Sequence, residues 1–314
     1  MTTVTSARPA RPVHRASSRP RGRRRGLHNY LFLAPAVVFV AGTVLYPLGF
    51  NLVQGFQSVG LAEIVNGGAR FVGLDNYRDQ FTRGEFWHSF GISLLYTAVA
   101  VALSVGGGLG LALLFNLPLR GRDQLRALML LAWLLPTVVS ANVWRWLLDG
   151  SHGLVNAALS AVGLIDGDVF WLARPDAALV AVTVATAWTL APFAMILLLA
   201  GLQGIPGTLY EAARIDGARP VQQLRWITLP LLRPVTLATL LLCFIYTFKT
   251  FDTVFLMTGG GPGGATQTLP IYAYEQAFTF FDFDVAAVAT TVLLAVPVML
   301  SLAYFRSLRG EDRR

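Results

Sequence analysis

Six stretches of about 20 mostly apolar residues, each long enough to cross the hydrocarbon core of a bilayer, constrain this chain more than any other feature. They run Tyr30–Phe50, Phe90–Phe115, Ala127–Leu148, Ala177–Leu202, Val235–Met257 and Val285–Phe305. In lipid a chain must satisfy its own backbone hydrogen bonds, so the expected fold is an all-α membrane protein with six transmembrane helices. Composition points the same way. Of 314 residues 54% are hydrophobic and 13% charged, about half the usual charged share. That leaves too few charges to clothe a soluble domain, and it excludes a disordered chain or a coiled coil. Pro35, Pro47, Pro136, Pro192 and Pro297 fall inside spans and predict kinks within a bundle.

The charges sort by connection. Eight arginines lie between Arg8 and Arg25; Arg120, Arg122 and Arg126 follow the second span; Arg214, Arg219, Arg225 and Arg233 follow the fourth; Arg306, Arg309, Arg313 and Arg314 follow the sixth. The opposite connections hold only Arg70, Arg78, Arg83 and Arg174 among mostly acidic neighbours. The positive-inside rule then places both termini and the fourth-to-fifth connection in the cytoplasm. The net charge of +8 is a record of topology, with no nucleic-acid partner needed. Residues 1–29 read as a disordered, Arg-rich cytoplasmic arm, 30–306 as the transmembrane domain and 307–314 as a cytoplasmic tail. The first apolar stretch is longer than a signal-peptide core and five more spans follow, so it reads as a retained helix rather than a cleaved signal.

Several chemistries lack their residues. The only lysine, Lys249, stands in Phe248-Lys249-Thr250, so no Walker sequence cradles a nucleotide. Cys243 is the single cysteine, which rules out an internal disulfide and a CxxC metal pattern. His14, His28, His88 and His152 show no metal-ligand spacing, and no serine stands in a G-x-S-x-G turn. No cofactor or catalytic residue is expected on this chain. Of two glycine clusters, Gly106 to Gly110 has the GxxxG spacing of close helix packing. The other, Gly259 to Gly264, suits a tight re-entrant turn at the outer end of the fifth span.

The connection 204–234 is too long and too patterned for a plain loop. Thr208 and Glu211 have capping-box spacing; Leu209, Ala212, Ala213 and Ile215 form a small apolar face; Gly217 suits a helix stop. Pro220 suits the first turn of a second short helix, with Pro230 ending it. On this reading Glu211 only caps and the apolar face packs on the membrane side.

Glu211-Ala212-Ala213, then Gly217, Ile227, Leu229 and Pro230, form E-A-A-x3-G-x9-I-x-L-P. This segment resembles the EAA loop of the permease subunits of binding-protein-dependent ABC importers. The resemblance implies a type I importer permease fold, in which the loop supplies a helix that docks on a separate ATPase. ATP and Mg would be held there, on two ABC ATPase partners. Phe71 to Tyr77 (FVGLDNY) and Phe251 to Phe278 resemble the carbohydrate-uptake permeases of the maltose, lactose and glycerol-3-phosphate type, and the chain order is similar to the first of their two permeases. The resemblance implies a second homologous permease, an extracytoplasmic solute-binding protein and a sugar or sugar-derivative cargo.

It also implies a passage lined by Thr186, Thr189 and Phe193 before the EAA loop and by Tyr246, Thr247, Lys249, Thr250 and Asp252 after it. Spacings of i, i+3 and i+7 put the first three on one helical face, and Thr247 and Thr250 share another. Threonines in apolar helices also bond their own i−4 carbonyls or a neighbouring helix. Lys249 and Asp252, three apart, either pair with each other or meet the cargo; an unpaired charge there costs about 2.5–3.5 kcal/mol. Arg145, between Trp144 and Trp146, reads as a snorkelling anchor. Three other readings stay open: an importer permease for a non-sugar solute, a secondary transporter, and a membrane scaffold recruiting a soluble partner.

Overall fold

The computed structural model describes residues 25–311. The arm expected at 1–29 lies outside the described residues up to position 24; from Arg25 onward the chain is helical. The chain divides into two compact units, residues 1–49 and 50–314. The first contains α1 (Arg25–Val40) and a π-helical turn, Ala41–Leu45, which leads into α2 (Tyr46–Gln54). Pro35 lies inside α1 without ending it.

In the second unit a small antiparallel ribbon, β1 (Gln57–Ser58) with β2 (Arg70–Phe71), encloses α3 (Leu61–Asn66). The helices α4 (Asp75–Thr82), α5 (Gly84–Asn116), α6 (Arg122–Leu134), α7 (Thr137–Leu147), α8 (Leu154–Ala161) and α9 (Pro175–Gln203) follow. The chain continues through α10 (Gly207–Ile215), α11 (Pro220–Gln223), α12 (Leu229–Phe248), α13 (Asp252–Thr258), α14 (Leu269–Phe278) and α15 (Phe283–Glu311). Among the described residues five helical stretches are long and apolar enough to span a membrane, or six if the bent pair α6–α7 counts as one span.

The packing core lies between α5 and α9. Val101, Val105, Ala112 and Phe115 meet Leu190, Ala194, Met195 and Leu198, and α12 adds Leu232 and Cys243. Close approach rests on Gly108, where a Cβ would stand 2.7 Å from Ala194 Cβ and 2.9 Å from the Met195 nitrogen. The expected GxxxG pair does not make this contact: a Cβ at Gly106 or Gly110 would meet nothing within 4 Å. Spacing alone left the face of the helix undetermined.

Two spans differ from expectation. The third bends by 95° between Leu134 and Thr137, far more than a kink. Pro136 disfavours helical geometry at the residue before it, and Leu135 is extended at φ −62°, ψ 137°. The fifth begins 15 residues early, at Pro220, and ends at Phe248. Pro230 does not stop it. A π-helical turn, Leu224–Thr228, immediately precedes α12, and Pro230 falls in that helix's first turn, where its missing N–H and ring are tolerated. Beyond Phe248 the chain leaves the helix at Lys249–Phe251 before α13.

Candidate functional site

A cavity of about 360 Å³ opens where α6–α7, α9 and the α12–α13 break converge. Thr186, Thr189, Tyr246, Thr247, Lys249, Thr250 and Asp252 all line it. Phe193 sits against the lining: its ring stacks on Trp133 at 5.3 Å and meets Tyr246 edge-on at 5.6 Å. The structure thus gathers residues from two separate spans around one space.

Their hydroxyls are not equivalent. Thr186 is held by the phenol of Tyr96 on α5, 2.7 Å away. Thr189 donates to the Ala185 carbonyl at 3.0 Å and lies 3.3 Å from the Ser140 hydroxyl. Thr250 donates to the Tyr246 carbonyl at 2.8 Å. For these two, the i−4 bonding of threonines in apolar helices is realised. Thr247 differs: it is buried, and its Oγ1 has no hydrogen-bond partner. A buried hydroxyl left unmatched costs about 1–3 kcal/mol.

Lys249 and Asp252 form no ion pair; the ion pairs among the described residues lie elsewhere, at Asp123, Asp149 and Asp176. The break in the helix is the reason. Lys249 is the C-terminal cap of α12 and Asp252 is the first residue of α13, so each charge faces the helix end of opposite partial charge, worth about 0.3–1 kcal/mol apiece. The Lys249 ammonium also lies 5.5 Å from the centre of the Tyr246 ring. Both charged side chains remain exposed at the cavity.

Trp133, Leu135, Thr137 and Ser140 complete one wall, and sequence reasoning missed them. Their signal was Pro136 in mid-span with two hydroxyl residues just after it, which the 95° bend turns into the cavity. Leu190, Phe251 and Thr253 were missed as well.

The EAA residues form a second, separate feature. Thr186 stands 17 residues before the end of α9, about 25 Å along the helix, and α10 follows that end. The predicted capping box is not formed. Pro206 is the N-cap and makes no side-chain bond, while Thr208 falls inside the first turn of α10. Glu211 and Ala212 are exposed and Ala213 is half-buried; Ile215, expected to pack on the membrane side, is 87% exposed. Gly217 does end the helix, in left-handed backbone at φ +78°, and Ala218 N–H returns to the Ala213 carbonyl at 2.8 Å. Pro220 begins α11 as expected. Tyr210 anchors the segment through a 3.0 Å bond to the Thr228 hydroxyl in the π-turn. Ile227 lies half-buried in that turn, and exposed Leu229 and Pro230 open α12.

Arg145 is exposed in the last turn of α7, with Trp144 packed edge-on against Trp188 at 5.8 Å. The second glycine cluster forms a tight turn after α13. Gly259 caps that helix at φ +60°, and Thr266 donates back to the Gly261 carbonyl at 2.7 Å. Ser93 on α5 accepts the Leu269 N–H at 2.6 Å, which ties the turn down.

Residues 104–309 match the family described as binding-protein-dependent transport system inner membrane component. The trehalose/maltose transport system permease protein MalF of Thermococcus litoralis is 39% identical, over 78% of this chain and 81% of its own length. The sulfoquinovosyl glycerol transport system permease protein SmoG of Agrobacterium fabrum is 34% identical over 90% of each chain. The diacetylchitobiose uptake system permease protein DasB of Streptomyces coelicolor is 34% identical over 94% of this chain and 90% of its own. A permease chain from the crystal structure of a bacterial ABC transporter that imports the acidic polysaccharide alginate superposes with a TM-score of 0.77. It is 23% identical and covers 91% of this chain and 96% of its own length, so it shares the fold. With that fold and a match over most of its length, the chain belongs to the family of inner membrane components of binding-protein-dependent transport systems.

Proposed function

We propose that this permease moves a sugar or sugar derivative across the cell membrane, driven by ATP hydrolysis on separate subunits. The observation that carries the reading is the cavity where α6–α7, α9 and α12–α13 meet. Six threonines, a serine, aromatic rings and one charge of each sign line or border it, the mixture of donors, acceptors and flat apolar faces that suits a polyol. Sugar-derived cargo also appears in the names of all three relatives above.

In this reading an extracytoplasmic binding protein delivers cargo, a second homologous permease completes the passage, and two ATPases hold ATP and Mg. Both termini and α10 face the cytoplasm, where the arginine-rich connections lie. Glu211, Ala212 and Ile215 offer an exposed surface for an ATPase groove, Gly217 sets the turn behind it, and Ile227, Leu229 and Pro230 join the segment to the span that carries Thr247. A push on α10 therefore reaches the cavity through one nearly continuous helical path.

The test is ATP-driven uptake in complexes reconstituted with the binding protein. Glu211→Lys with Gly217→Asp is expected to leave cargo binding in place and abolish uptake. Unchanged uptake would falsify the coupling role. A ligand screen on the binding protein separates sugars from other solutes, and a retentate containing only amino acids or inorganic ions would overturn the cargo class.

A further inference from the structure

One threonine of α9 departs from the pattern of the others. Thr183 and Thr189 on α9, like Thr236 and Thr239 on α12, donate to the carbonyl four residues back at 2.6–3.0 Å. Thr186 stands between the first two and does not. Among the described residues its hydroxyl meets a single partner, the Tyr96 phenol of α5, at 2.7 Å. That phenol in turn meets only Thr186. The two side chains differ in what else surrounds them. Tyr96 is 2% exposed, packed with Ala181, Val182, Ala185, Val254 and Met257, and it borders none of the cavity where α6–α7, α9 and α12–α13 meet; Thr186 lines that cavity.

Two hydroxyls that bond only each other carry two protons, and one contact uses one of them. The other proton is left over. Kept on Tyr96 it would be sealed among apolar side chains with no acceptor, which forfeits the full hydration of a buried donor. Kept on Thr186 it has open space beside it. The lower-cost arrangement has Tyr96 donating and Thr186 accepting, with the threonine proton free. We infer that Tyr96 is a positioning residue: by donating to Thr186 it takes the place of the helix carbonyl as that side chain's partner and makes Thr186 a hydrogen-bond donor to an oxygen of the cargo. The direction of the bond follows from the geometry, while the identity of the acceptor rests on the sugar reading given above. Neither Thr189 nor Thr250 can play this part, because each has already given its proton to its own helix.

The test uses the full chain in lipid nanodiscs, with Thr186→Cys as a reporter and 2-sulfonatoethyl methanethiosulfonate as the probe. Cys243, the single native cysteine, is buried, so the parent chain supplies an unreactive background. Only a thiolate reacts, and a neighbouring donor stabilises it. We expect the reporter to react, and Tyr96→Phe in the same chain to slow the reaction about tenfold near neutral pH, with the difference vanishing in alkali where the thiol ionises unaided. Phenylalanine keeps the ring, so a packing role alone would not move this pH profile. In the assembled transporter, fed the tritiated sugar that the binding-protein screen retains, Tyr96→Phe and Thr186→Val should each lower maximal uptake about threefold. The double variant should fall no further, since the two residues act as one, and Thr186→Ser should transport like the parent. A reporter that the probe cannot reach, a pH profile that Tyr96→Phe leaves unchanged, or single effects that multiply in the double variant would overturn the inference. A screen that retains no sugar would sink the cargo reading, while the thiol profile would still decide the role of Tyr96.

Discussion

Replacing Thr247 with valine separates a hydroxyl kept for structure from one kept for cargo. The side chain is 1% exposed and its Oγ1 has no partner, so the resting protein carries the cost of an unmatched buried hydroxyl, about 1–3 kcal/mol. Valine has nearly the same shape and no polar atom. Thr247→Val should leave the folded complex as stable as before or about 1 kcal/mol more stable. If the hydroxyl meets cargo in the passage, the same change removes one neutral hydrogen bond worth about 0.5–1.5 kcal/mol, a roughly two- to tenfold loss in uptake at low cargo concentration. Stability and transport thus move in opposite directions, which a merely structural residue cannot do. The assay pairs thermal unfolding of the assembled transporter with initial uptake rates, and Thr247→Ser should restore transport. A variant that loses more than about 1 kcal/mol while transporting normally would refute the reasoning, because it would mean that the hydroxyl already has a partner within the protein.

Other outcomes follow from single contacts. Gly108→Val drives a side chain into the Ala194 Cβ and the Met195 backbone, 2.7 and 2.9 Å from the Cβ position, and should destabilise the α5–α9 pair by at least about 1–3 kcal/mol; Gly110→Ala, with open space around it, should lie within about 0.5 kcal/mol of the parent, both read by thermal unfolding. Tyr210→Phe removes the 3.0 Å bond to Thr228 and should lower cargo transported per ATP hydrolysed more than it lowers hydrolysis itself. Asp149 accepts the His152 and Ser151 N–H groups at 2.8 and 3.0 Å, which hold its carboxyl below the ordinary range. Because the folded value is depressed, the turn 149–152 keeps this support at neutral pH and loses it as pH falls through that lowered value. The protection of the Ser151 and His152 amides, measured against the intrinsic exchange rate at each pH, should therefore fall in acid, and Asp149→Asn should weaken that pH dependence.

The spans themselves were legible because crossing lipid demands length and apolarity, and both are read residue by residue. The stop at Gly217 and the start at Pro220 were equally local: a left-handed backbone and a fixed φ need no distant partner. The Thr208 capping box failed although its spacing was right, since Pro206 took the cap position and moved the helix start forward. Lys249 and Asp252 were three apart on an assumed continuous helix; the break at Lys249–Phe251 gave each a helix end of its own.

The amino-acid sequence by itself determined that this chain is a bundle of apolar helices, though not where the third and fifth of them break or begin. It also carried the motif that resembles the EAA loop and the threonines that come to line one cavity. What only the tertiary structure decided is which polar groups are left over. Whether Thr247 keeps a partnerless oxygen, or Thr186 a proton to spare, depends on where Tyr96, Tyr246 and the bend at Pro136 bring their neighbours. Hydrogen-bond satisfaction is a property of the packed whole, while hydrophobicity and φ preferences belong to the residue and travel with it.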